Sequence, residues 1–161
     1  MKNNIKKIVA LCVACSLLFT LMACGGANIK VDVAKMGQDL SKLSIFSSEL
    51  IEVNQDQTIM KYMQGNLQSK KDVSNAVSYA SSGKSADEIA IFECAEGGNM
   101  ANITNAITGY VRNQKLKFSS NHKETSKLND VVIINKGNYA IVCVSKDAPQ
   151  AKKFIKEYLS K

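Results

Sequence analysis

Val131-Val132-Ile133-Ile134-Asn135-Lys136-Gly137-Asn138-Tyr139-Ala140-Ile141-Val142-Cys143-Val144 is the stretch that decides the fold. Two β-branched, apolar runs flank a short Lys-Gly-Asn connection. Each run is too short for a buried helix and rich in the residues that fit a pleated surface, so the segment reads as strand, turn, strand: Val131 to Asn135 and Tyr139 to Val144. Such strands must bury their apolar faces against something, and the flanking sequence supplies the cover. Downstream, Asp147 is placed to cap a helix with Pro149 in its first turn. The buried stripe of that helix is Ala151, Phe154, Ile155, Tyr158 and Leu159, and Lys152, Lys153 and Lys156 lie away from it.

Upstream, a polar stretch around Ser119 to Lys127 reads as a loop. Before it, Met100, Ile103, Ile107, Tyr110 and Val111 recur at helical spacing after Asn99, a capping residue that follows Gly97-Gly98, and the helix runs towards Gln114. A second hairpin precedes it. In Val73 to Ala80, Val77 and Tyr79 are expected to share one face with Val73, with small residues opposite. Ser81 to Lys84 forms the turn, and Glu88 to Cys94 is the returning strand, despite a capping-box match at Ser85-Ala86-Asp87-Glu88. Further upstream, Val33, Met36, Leu40 and Leu43 mark one face of a helix capped by Asp32, and Gly37 weakens it slightly. A short apolar segment, Leu50 to Val53, precedes a helical patch at Ile59, Met60 and Met63, broken at Gly65-Asn66. The expected architecture is α+β: an antiparallel four-stranded sheet in ββαββα order, covered by helices.

The N-terminus carries a different message. Lys2, Lys6 and Lys7 form a positive region, Ile8 to Met22 is an uncharged apolar stretch of 15 residues, and small residues surround Cys24. That order is the grammar of an export signal, and the apolar stretch falls short of the roughly 20 residues a spanning helix needs. Leu21-Met22-Ala23-Cys24 resembles the lipobox of bacterial lipoproteins. The resemblance implies diacylglycerol on the Cys24 sulfur and cleavage between Ala23 and Cys24. Residues 1–23 then form a signal peptide, 24–30 the lipidated cysteine and a flexible tether, and 31–161 a single α+β domain. The expected location is the outer face of the cytoplasmic membrane, because two acyl chains suffice for stable anchoring where one is marginal.

Composition narrows the partners. The chain has 161 residues and a formal net charge of +7, of which +4 remains once the three leader lysines are removed. An exported domain meets no genome, so nucleic acid is not an expected partner. Anionic lipid headgroups, a surface protein or peptide, and cell-wall components are the expected classes. Cys12 and Cys15 form a CxxC that lies in the discarded leader. Cys94 and Cys143 remain, and the compartment permits a bridge between them, although disulfide geometry is restrictive and buried thiols are the other reading.

The segments 85–92 and 135–142, together with this element order, resemble the uncharacterised bacterial lipoproteins grouped as domain of unknown function 4358. The resemblance spans roughly 31–156 and implies an extracytoplasmic lipoprotein domain with no assigned activity.

The chain carries no sequence motif for phosphate binding, zinc hydrolysis or a nucleophile elbow. The one histidine, His122, sits in a polar stretch and Arg112, the one arginine, near a helix end. No catalytic set, metal site or cofactor is therefore expected. Asp87 and Glu88 are candidate ligands for a cation or a peptide amine, their alternative being a charged hairpin flank, and Asn138 and Tyr139 are further candidate binding residues. Two functions follow from different classes: a binding or assembly module at the cell surface, or an unrecognised extracytoplasmic enzyme, a hydrolase or a thiol enzyme using Cys94 or Cys143 with His122.

Overall fold

In the computed structural model the described residues are 29–64 and 67–161, with the backbone alone described at Leu67. The expectations for the leader, the lipobox and Cys24 lie outside them. Eleven elements follow in order: α1 (Val33–Ser41), β1 (Ile51–Val53), α2 (Gln55–Tyr62), α3 (Leu67–Lys71), β2 (Val73–Ala80), β3 (Glu88–Cys94), α4 (Met100–Lys117), α5 (His122–Asn129), β4 (Val132–Lys136), β5 (Tyr139–Val144) and α6 (Ala148–Tyr158). The class is α+β. Its sheet has five antiparallel strands in the order β1-β2-β3-β5-β4, and six helices are described.

Both expected hairpins form. β2 pairs with β3 from Val73↔Cys94 to Ala80↔Glu88, and β4 pairs with β5 from Val132↔Cys143 to Lys136↔Tyr139 around Gly137, whose φ of +59° suits a residue without Cβ. The link between the hairpins is β3 against β5, from Glu88↔Val144 to Glu93↔Tyr139. β3 and β5 are therefore central, and helices cover both of their faces. Ile89, Ile91, Tyr139, Ile141 and Cys143 pack under α1 and α6. Ala90, Phe92, Cys94, Ala140 and Val142 pack under α2 and α4. A strand covered on both sides loses polar-apolar alternation, which explains the continuous apolar runs in both segments.

Four expectations need correction. The sheet has a fifth strand: β1 pairs with β2 at Ile51↔Ala80, Glu52↔Tyr79 and Val53↔Ser78, and a mostly exposed strand of three residues shows no alternation. Val73 does not share the face of Val77 and Tyr79, because a bulge between Val73 and Asn75 turns it to the α2/α4 side. The stretch expected as a loop contains α5, capped by Asn121; its buried residues are Glu124, Lys127 and Leu128, so its inner face is largely ionic and carries no apolar period. Met60, expected in an apolar patch, is 56% exposed, and Tyr62 and Met63 take the buried positions.

The other caps form as expected. Asp32, Asn99 and Asp147 side chains accept from Lys35 N, Ala101 N and Gln150 N. Gly37 has a packing reason. A Cβ there would stand 2.7 Å from Tyr79 Cε2 and 3.0 Å from Val77 Cγ1, so glycine lets α1 lie directly on β2.

Candidate functional site

Asp87 and Glu88 begin β3 as neighbours, and strand geometry sends their side chains to opposite faces. Neither is a solvated flank: Asp87 is 1% exposed and Glu88 6%. Each enters its own interior network. Asp87 Oδ2 accepts from Ser47 N at 2.7 Å and Ser85 Oγ at 2.9 Å. Lys127 Nζ stands 3.0 Å from Asp87 Oδ1 and 2.9 Å from Glu124 Oε2, and the direction of the first contact makes it ionic rather than hydrogen-bonded. Glu124 Oε2 also accepts from Ala86 N at 2.7 Å and stands 3.0 Å from Ser85 Oγ, whose one proton it shares with Asp87 Oδ2. Burial opposes ionisation of Glu124, but the Ala86 N–H, Lys127 and the Ser85 hydroxyl outweigh it and hold the carboxyl below its ordinary value. The triad staples α5 to the β2–β3 turn.

Glu88 receives the hydroxyls of Tyr62 (2.8 Å, Oε1) and Tyr110 (2.8 Å, Oε2) and the ammonium of Lys61 (2.6 Å, Oε1). The tyrosine rings lie 4.1 Å apart, and Lys61 Nζ is 5.4 Å from the Tyr110 ring centre. Burial, then the adjacent Glu88 charge, pushes both phenols up. Here α2 and α4 are tied to the end of β3. Every oxygen of Glu88 is thus committed to the protein's own donors, which argues against a free cation or amine ligand.

Asn138 is exposed at the β4–β5 turn and donates to Glu93 Oε1 at 3.3 Å. Tyr139 is buried, and its hydroxyl accepts from Val31 N at 3.1 Å and donates to Glu93 Oε1 at 3.2 Å. It fastens the incoming chain to the sheet. His122 opens α5 in an exposed position. The structure does not gather it with the thiols: Cys94 and Cys143 are free, buried, and on opposite faces of the sheet, which also leaves no bridge between them. Burial pushes the Cys143 thiol up to about 12, against the smaller effect of the Ser145 hydroxyl, and raises Cys94 as well. Neither thiol is poised as a nucleophile. Among the described residues no group of three or more His, Cys, Asp or Glu could hold a metal ion, and no helix is long and apolar enough to cross a membrane.

What the fold leaves open is a groove of about 990 Å³ along β4, an edge strand whose strand neighbour is β5. Val131 to Ile134 form its floor, with Ile133 and Ile134 half-exposed. One wall is α5, with Lys123, Ser126 and Lys127; the other is the start of α6, with Lys146, Ala148, Pro149 and Lys152. Lys123, Lys146 and Lys152 are exposed, and Asp130 is the one carboxylate in the lining. This surface is not legible in the sequence, because the inner face of its α5 wall is ionic and carries no apolar period.

A family model described as Domain of unknown function (DUF4358) matches residues 51–145. The chain belongs to that family. No curated protein and no solved structure matches the chain. The DUF4358 match runs from the first residue of β1 to Ser145, so it takes in all five strands, α4, α5, the Glu88 network and the Asp87 network apart from its Ser47 donor. It also includes the groove floor and the α5 wall; α1, α6 and the α6 wall of the groove lie outside it.

Proposed function

We propose that this DUF4358 chain is a lipid-anchored extracytoplasmic lipoprotein that works as a binding or assembly module on the outer face of the cytoplasmic membrane. Residues 1–23 are the signal peptide, and Cys24 carries the diacylglyceryl anchor. The observation that carries the binding role is the groove beside β4: the interior acids are spent on the protein's own donors, whereas the groove leaves apolar surface and three lysines facing solvent.

The position of the tether supports an orientation. Val31 is tied to Tyr139 at the hairpin end of β5, and Ile29 to Asp32 line a concavity with Lys136 and Tyr158 to Lys161. With Ile29 and Lys30 already seated on the domain, the free part of the tether reaches less than about 20 Å. The end of the domain bearing the Gly137 turn and the α6 C-terminus therefore faces the lipid. The groove gathers at the other end of β4, around Val131, Ser145 and Pro149, roughly 17 Å away along a strand of five residues. It opens away from the bilayer, where a partner can reach it.

The test is intact mass and membrane partition of the expressed full chain against Cys24→Ser. A membrane-bound species lacking residues 1–23 and carrying diacylglycerol, absent from the variant, is the expected result. A soluble product cut elsewhere, or an uncut chain indifferent to the substitution, overturns the address.

A further inference from the structure

We infer that the β4 groove takes an extended, acidic polypeptide segment of a partner protein, which adds to the sheet as a sixth strand beside β4. The inference rests on the binding-module reading above and names its partner chemistry. β4 lies at the edge of the sheet with β5 on one side, and an edge strand presents a row of backbone N–H and C=O groups to any extended chain that can reach it. Edges of natural sheets are normally blunted by charge, short length or a covering element. Here Lys136 and Asn135 guard the turn end, but Val132 to Ile134 form the floor of an open groove, and Ile133 and Ile134 are half-exposed.

The walls match an added strand. Side chains of such a strand would alternate between the two faces. On one face they would meet α5 and Lys123; on the other, the start of α6 with Lys146 and Lys152. Carboxylates at two neighbouring positions, which point to opposite faces, would thus find an exposed lysine on either side, and the next apolar pair would cover Ile133 on one face and Pro149 on the other. The single opposing charge in the lining, Asp130, leaves the rim basic. Lys127 is not part of this recruitment, because Asp87 and Glu124 hold it from behind. The second concavity, near Ile29, offers no comparable field: Asp32 and Asp39 lie among its lysines, and Lys35 Nζ is already 3.2 Å from Asp39 Oδ2.

The experiment uses the full chain in detergent micelles with three probes: a fluorescent heptapeptide in which adjacent Glu pairs alternate with Val or Thr pairs, the same peptide with Lys for Glu, and inorganic polyphosphate. Anisotropy reads affinity and amide hydrogen exchange reads β4. Expected are binding of the acidic peptide over the basic one, new protection of β4 amides, and a loss of roughly tenfold or more in the surface variant Lys123→Glu/Lys146→Glu/Lys152→Glu. No binding of the acidic peptide, binding that leaves β4 exchange unchanged, indifference to the charge reversals, or polyphosphate binding as tightly as the peptide would each overturn it. Peptide binding is read whether or not Cys24 is lipidated, so failure here leaves the membrane address standing, and failure of the address leaves this result interpretable.

Discussion

Replacing Lys127 by methionine isolates the energetic role of the interior ionic triad. The Lys127 side chain is 4% exposed, that of Asp87 0%, and that of Glu124 7%. The ammonium lies 3.0 and 2.9 Å from the two carboxylates. At an effective dielectric of about 20 each contact is worth roughly 5 to 6 kcal/mol before desolvation. Most of that is offset by the cost of taking three charges out of water, so the net worth of the triad is small. Removing the lysine alone is different, because it leaves two buried carboxylates without a counter-charge. The expected loss is about 3 to 5 kcal/mol, or roughly 10 to 20 °C in Tm for a domain of this size. Thermal and urea unfolding followed by circular dichroism would measure it. The triple variant Lys127→Met/Asp87→Asn/Glu124→Gln should recover part of the loss, since it removes the charges together. A loss under about 1 kcal/mol, the value of an exposed pair, would refute the reasoning and show that water screens the triad.

Gly37→Ala should destabilise by about 1 to 3 kcal/mol through crowding of Tyr79 and Val77, outweighing the gain of about 1 kcal/mol from helix propensity; a more stable variant in the same melts would show that α1 can lift off β2. Glu124 titrates below its ordinary 4.5 in the folded chain, so its contribution is present above that value and fades as pH falls through the lower folded value. Glu124→Gln should therefore flatten the acid limb of a Tm-against-pH curve as pH falls below the ordinary carboxyl value, and an unchanged slope would contradict the assignment. Cys94 and Cys143 should resist iodoacetamide near neutral pH in the native fold and both react on unfolding without reductant; mass shifts that appear only after reduction would reveal a bridge.

The hairpins and the caps were legible because their signals are local. A glycine turn between apolar runs, or an Asp three residues before an N–H it can accept, requires no knowledge of the rest of the chain. β1 and α5 were not legible. Three residues carry no period, and β1 exists because β2 offers it a ladder. α5 turns Glu124 and Lys127 inward, which reads as solvated charge until Asp87 and Ser85 are found opposite, some 40 residues away in the chain. The same blindness affected Asp87 and Glu88. Their adjacency suggested either a ligand pair or a soluble flank, and strand alternation instead sent each into a different layer.

Residue order alone thus determined the α+β class, the two hairpins and their helical cover, since each rests on spacing within a dozen residues. Tertiary structure decided the edge position of β4, the burial of the acid pair, the separation of the cysteines to opposite faces and the lysine-rimmed groove. Those are properties of which surfaces meet, and in an antiparallel sheet that is set by strand order, here β3 beside β5, which no local pattern encodes.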